Sequence, residues 1–167
     1  MFILASKSPR RAELLKKIYN KEFIIDPTDA DESKIKNIDP SDTSLDIALL
    51  KMNEAIKKHP NDTILTADTI VIQNGTIYGK PKTKADAINM LNNLGGVPHQ
   101  VITGYAIAIN GKIVVQNKTV TNLTLKRMSS NEIENYIATG SPFDKAGGYG
   151  IQDIEYIKTD KIDGSFA

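Results

Sequence analysis

Short apolar runs alternate along this chain with stretches whose apolar residues recur every three or four positions. Phe2 to Ala5 is apolar and reads as a strand. Ser8 then suits an N-cap and Pro9 the first helical position, where its missing N–H costs nothing, and Leu14, Leu15 and Ile18 follow at helical spacing. Phe23, Ile24 and Ile25 predict a second strand that ends at Asp26-Pro27. Leu45, Ala48, Leu49, Met52, Ala55 and Ile56 fall on one helical stripe with Lys51 on its flank. His59-Pro60-Asn61-Asp62 stops that helix, and His59 reads as a C-terminal cap and nothing else.

TILTADTIVI, residues 63–72, is β-branched and predicts a buried strand, which Asn74-Gly75 turns back into TIYGKPKT. Residues 84–94 predict a helix with Ala87, Ile88, Leu91 and Leu94 inward, closed by Gly95-Gly96. A long hairpin follows, residues 99–109 and 112–126 around Asn110-Gly111. Ser129 or Ser130 caps a helix through Ala138, and the tail reads as a glycine-rich loop with one or two short strands. Helices mixed with parallel-capable strands and a hairpin predict an α/β fold whose sheet is mixed and partly antiparallel.

The chain has 167 residues, enough for one domain in two lobes. Its net charge of +1 gives no general attraction to nucleic acid, and only ten residues are aromatic, so a nucleic-acid module is the least favoured reading. With no cysteine there is no disulfide, thiolate metal site or cysteine nucleophile, which fits a reducing cytoplasm. The N-terminal apolar run is too short for a signal peptide, and nothing approaches the roughly 18 apolar residues of a membrane span. Residues 26–46 carry seven acidic residues against Lys34 and Lys36 and read as a solvated loop or a lid.

Familiar motifs fail. GTIYGKPK is one residue short of a phosphate-binding loop and has Pro81 where a hydroxyl should stand. GGYGIQ lacks dinucleotide spacing, no G-x-S-x-G elbow exists, and two histidines 40 residues apart make no zinc site. What remains is charge in unfavourable places. Arg10 and Arg11 sit in the first turn of a helix, where the dipole is already positive, a cost that an anion bound there would reverse. Asp68 interrupts an apolar strand, where an ionised carboxylate is expensive unless paired. It is either a wet strand end, a partner of a lysine, or a group that holds a metal or activates a water.

Taken in order, LASKSPRRAELL, DADESK, ALLKMNEA, ADT, GKP, HQVITG and DKAGGYGIQ resemble the motifs of the Maf family of nucleoside triphosphate pyrophosphatases, from residue 3 to residue 166. The resemblance implies one domain over residues 1–167, with a twisted mixed sheet flanked by helices and two lobes around a cleft, as in inosine triphosphate pyrophosphatase. It implies cytoplasmic hydrolysis of a nucleoside triphosphate to monophosphate and pyrophosphate with a divalent cation, Mg²⁺ or Mn²⁺.

Carried over, Asp68 is the proton acceptor; Asp68 and Glu32 are the candidate ligands of the divalent cation, and Ser6, Arg11, Lys51, Lys80 and Lys145 are the candidates that meet the phosphates. Arg10, Thr69 and Gln152 resemble the branch acting on dTTP and UTP rather than on 7-methyl-GTP. No nucleic acid or membrane partner is expected, and a homodimer fits the family. The alternatives are a nucleotide-binding regulator of septum formation with little turnover, and a purine-directed pyrophosphatase. Two departures stand out: Ser141 replaces a usual acidic residue, and the chain stops at IDGSFA, a natural terminus or a truncation that removes a last helix.

Overall fold

Capping chemistry sets the helix boundaries in the computed structural model, which describes residues 1–35, 39–153 and 155–164. Helix α1 (Pro9–Ile18) opens with the Ser8 hydroxyl accepting the Arg11 amide. Helices α3 (Lys84–Leu94) and α4 (Ser130–Ala138) each open with a reciprocal capping box, Thr83 with Asp86 and Ser129 with Glu132. Ser129, not Ser130, is therefore the cap. Helix α2 (Thr43–Lys58) ends with the His59 amide donating to the Ala55 carbonyl.

The described residues form seven strands: β1 (Phe2–Leu4), β2 (Phe23–Ile25), β3 (Thr63–Gln73), β4 (Thr76–Tyr78), β5 (His99–Ile109), β6 (Lys112–Leu125) and β7 (Thr159–Asp163). Their order is β2-β1-β3-β5-β6-β7, with β4 paired to β3. β1 runs parallel to both β2 and β3, whereas β4 and β7 are antiparallel to β3 and β6. Both hairpins turn as expected, with positive φ at Asn74 and Gly75 (49° and 78°) and at Asn110 and Gly111 (50° and 77°). The mixed, helix-flanked sheet expected from the sequence is the one observed.

The chain divides into two compact units. The first is Met1–Asp68 with Thr103–Lys118, and the second is Thr69–Ile102 with Thr119–Ala167. In the first unit Met52 and Ala55 of α2 pack on Ile3, Ala5, Ile64, Ala106 and Ala108. Alternate residues of β5 on this face are the small Gly104, Ala106 and Ala108, all buried. A Cβ at Gly104 would lie 2.3 Å from the Leu45 Cα and 2.5 Å from the Ser44 carbonyl carbon, so the start of α2 rests on bare backbone. In the second unit Leu91 and Leu94 of α3 share a core with Ile133, Tyr136 and Ile137 of α4 and Leu123 and Leu125 of β6.

Three expectations change. The acidic stretch is not one solvated loop. Asp31 and Asp39 cap 3-10 turns at Glu32–Lys34 and Pro40–Asp42, accepting the Ser33 and Ser41 amides, and α2 begins at Thr43, while residues 36–38 lie outside the described residues. His59 is more than a cap, because its Nε2 lies 2.7 Å from Asp26 Oδ2 and its Nδ1 3.5 Å from Asp62. That bond is the main reason the Asp26 carboxyl titrates below the ordinary carboxylate range. Finally, Leu14 and Ile18 keep helical spacing but are exposed, leaving Leu15 as the buried residue of α1.

The Gly104 contact gives a stability test. Gly104→Ala has backbone, not a flexible side chain, in its way and should lose about 2 kcal/mol or more in urea unfolding. Gly79→Ala, with nothing within 4 Å of the added methyl, should stay within roughly 0.5 kcal/mol of the parent.

Candidate active site

Asp68 lies within β3, not at its end, and the strand continues to Gln73. Its side chain is 16% exposed, and Lys51 of α2 places Nζ 3.2 Å from Oδ1. The same ammonium lies 3.4 Å from the Ala67 carbonyl oxygen and 3.5 Å from Glu32 Oε1. Lys51 is carried there by the α2 stripe, and α2 is fixed further by the buried Thr66 hydroxyl donating to the Ala48 carbonyl at 2.8 Å. Three sequence-predicted residues from three elements thus meet at one cation.

The electrostatics follow from that burial. Desolvation pushes the Asp68 carboxyl above its ordinary value, Lys51 opposes the shift, and Glu32 adds to it. The positive charge of Arg11 also lowers the Asp68 value. Burial in turn lowers the Arg11 value, while Asp68 raises it and Arg10 lowers it. Arg11 Nη1 donates to the buried Ser6 hydroxyl at 3.0 Å, which also accepts the Ser8 amide at 3.2 Å. One cost of the first-turn arginines is therefore met inside the protein: Arg11 turns back from the helix to the Ser6 hydroxyl and gains from the negative charge of Asp68.

Glu32 and Asp68 present hard oxygens around one cationic point, and Glu32 is half exposed. Such a pair matches the needs of Mg²⁺ or Mn²⁺, which rest on one or two carboxylates and take further oxygens from substrate and water. Among the described residues no group of three or more His, Cys, Asp or Glu side chains could hold a metal by itself.

The second unit holds the other predicted residues. Thr69 follows Asp68 on β3 and is half-buried. Lys80 is exposed beside Gly79, whose carbonyl accepts the Gly147 amide at 3.0 Å, so GKP and the glycine-rich turn are joined. Lys145 is buried, and its ammonium donates to the Ser141 carbonyl and hydroxyl and to Asp144 Oδ1, at 2.7–2.8 Å. Gln152 is exposed, yet its Oε1 and the Lys145 stem both crowd Gly150, where a Cβ would lie 3.0 and 2.8 Å from them. An open hollow along residues 16–25 contains none of the predicted site residues.

The chain matches the family described as Maf-like protein over residues 1–167. It belongs to that family. The dTTP/UTP pyrophosphatase of Pyrococcus furiosus is 43% identical over 164 residues, covering 98% of this chain and 85% of the relative. That of Latilactobacillus sakei is 42% identical over 167 residues, covering 99% and 91%. A solved HAM1 protein from Coxiella burnetii shares the fold, with a TM-score of 0.51 at 17% identity over 76% of this chain and 73% of that one.

Sequence reasoning passed over the polar groups that brace the Maf-like glycine turn. His99 Nδ1 lies 2.9 Å from the Val97 carbonyl, which can only accept, so that nitrogen carries the proton. Nε2 then accepts from the Tyr149 hydroxyl at 2.7 Å, and burial lowers the His99 proton affinity, keeping the ring neutral. Tyr136, fully buried in α4, donates to Asp153 Oδ2 at 2.6 Å and accepts the Gly150 amide at 3.1 Å. In the sequence Tyr136 is simply an apolar-face residue. Only its helical register with Ile133 and Ile137 could have marked it as buried, and nothing local marks its hydroxyl as bonded.

The raised Asp68 value carries a stability prediction. The folded state holds this proton more tightly than the unfolded chain, so stability falls as pH rises from the ordinary carboxylate range through the raised value, and is level beyond it. The net shift already includes the attraction of Lys51. Asp68→Asn should therefore unfold at higher urea than the parent at about pH 7–8 and match it below about pH 3. A variant less stable at neutral pH would show instead that the ion pair is net stabilising.

Proposed function

We propose that this Maf-like chain hydrolyses dTTP and UTP to the nucleoside monophosphate and pyrophosphate, as a cytoplasmic enzyme whose single catalytic domain is residues 1–167. The observation that carries the reading is Asp68: a mid-strand carboxylate with raised proton affinity, paired with Lys51, which also meets Glu32, in a chain 43% identical to a dTTP/UTP pyrophosphatase.

Water attacks the α-phosphorus, a new P–O bond forms, the bond to the pyrophosphate oxygen breaks, and the water's proton passes to Asp68. A base of raised proton affinity is suited to this step, because it accepts a proton more readily than an ordinary carboxylate. Arg11, Lys51, Lys80 and Lys145 offset the nearly four negative charges of the triphosphate and the charge that develops on the leaving group. Lys145 must exchange at least one of its internal bonds to do so. Ser6 and the first amides of α1 offer further donors to phosphate oxygens. Asp68 and Glu32 would hold a divalent cation, which supplies charge neutralisation and Lewis-acid polarisation of phosphate oxygens when bound.

Arg10, Thr69 and Gln152 select the base. Uracil and thymine present an N3–H donor beside an O4 acceptor, and a side-chain amide can meet both. Cytosine reverses the pair and leaves polar groups unmatched. Gln152→Glu should then lower kcat/KM for dTTP and UTP by about 100-fold, since a carboxylate cannot donate to O4, while Asp144→Asn has a much smaller effect. Equal losses in the two purified variants would remove Gln152 as the base reader.

The direct test is the purified chain with Mg²⁺ or Mn²⁺ against dTTP, UTP, CTP, GTP, 7-methyl-GTP and ITP, separating pyrophosphate from orthophosphate. The expected result is pyrophosphate from dTTP and UTP, abolished by EDTA and lowered about 1,000-fold or more in Asp68→Asn with nucleotide binding retained. Activity confined to purine nucleotides would overturn the substrate assignment. Binding without product would favour a nucleotide-binding regulator.

A further inference from the structure

Gln152 is held by a clamp that no motif announces. It stands third in the turn Gly150–Asp153, whose ends are joined by the Asp153 amide donating to the Gly150 carbonyl at 3.0 Å. The two ends also meet on one side chain from α4. The Tyr136 hydroxyl accepts the Gly150 amide at 3.1 Å and donates to Asp153 Oδ2 at 2.6 Å, so a single phenol bridges the residues that bracket Ile151 and Gln152.

The rest of the surroundings hardens this arrangement. Tyr136 has no exposed surface, and its ring stacks on Tyr156 with centroids 5.5 Å apart. Asp153 Oδ2 also accepts the Ser141 hydroxyl at 2.7 Å, and its carbonyl accepts the amides of Tyr156 and Ile157 at 2.9 and 2.8 Å. The Lys145 ammonium lies 4.0 Å from the same carboxylate and is anchored to Ser141. Gln152 Oε1 then rests against Gly150, where any side chain would displace it. Burial and the Asp153 contact push the Tyr136 phenol well above its ordinary range, so it remains protonated and able to donate at any pH at which the enzyme works.

We propose that Tyr136 is a specificity-determining positioning residue: through Gly150 and Asp153 it fixes the turn that presents the Gln152 amide to the pyrimidine. The inference rests on the base-reading role given to Gln152. A hydroxyl in a helix core thereby controls which base is accepted without touching the nucleotide. Base discrimination by paired donor and acceptor depends on the amide being held in one orientation, and small displacements of such groups are costly.

The test compares the full chain with Tyr136→Phe, Gln152→Ala and the double variant, reading the ratio of kcat/KM for dTTP over CTP. Tyr136→Phe keeps the ring on Tyr156 and removes both bonds. It should lower the ratio about tenfold or more, chiefly through KM for dTTP, and should add little to Gln152→Ala in the double variant. Ile137→Val, a core change in the same helix, should leave the ratio unaltered, which separates positioning from loss of stability.

A folded Tyr136→Phe with an unchanged ratio overturns the clamp while Gln152→Ala, if it loses the ratio, keeps its reading. A Gln152→Ala variant that retains the ratio overturns both. Should Tyr136→Phe not fold, amide hydrogen exchange of the unaltered protein decides: Gly150 and Asp153 should exchange slowly and together, and rapid exchange at either overturns the clamp.

Discussion

A carboxylate in the middle of a strand between apolar neighbours can keep its charge only if the fold brings it a cation, and Lys51 of α2 does so at 3.2 Å. Burial outweighs the attraction and leaves the Asp68 carboxyl with raised proton affinity. A raised proton affinity suits the proton-acceptor role proposed for Asp68. A carboxylate fully satisfied by cations would be too weak a base to take a proton from water.

Much of the first unit serves to hold that pair. The ammonium reaches Asp68 because α2 lies close to the strands, and α2 lies close because Gly104, Ala106 and Ala108 leave room on β5. The Thr66 hydroxyl on the Ala48 carbonyl adds a polar tie to the apolar contact. Capping at Asp39 and at His59, and the bond from His59 to Asp26, then fix the two ends of the helix region. Packing and capping are here the same set of constraints viewed at different distances from Asp68.

The second unit solves a different problem, the orientation of an exposed amide. Gln152 projects from a turn with little apolar material of its own, so its order has to be borrowed. Tyr136, Asp153, Ser141 and Lys145 lend it through a connected network in which the Tyr136 phenol and the Lys145 ammonium are both buried. Ser141 takes part in that network as both donor to Asp153 and acceptor from Lys145.

Local chemistry was legible in the sequence because it depends on neighbours along the chain. The caps at Ser8 and at Ser129 or Ser130, the Asn-Gly turns, the amphipathic stripe of α2 and the order of the family motifs all act over a few residues. The unusual charges at Arg10, Arg11 and Asp68 were legible too, as costs awaiting a partner.

Which partner meets which cost was decided by tertiary structure. Lys51 is 17 residues from Asp68 and Tyr149 is 50 from His99, and no periodicity carries such distances. Likewise, two acidic residues expected in a solvated loop became helix caps, and a core tyrosine became the bridge of a turn. The physical reason is one of range: propensity and patterning are short-range, whereas pairing a buried charge or hydroxyl depends on which backbones the folded sheet brings within about 3 Å.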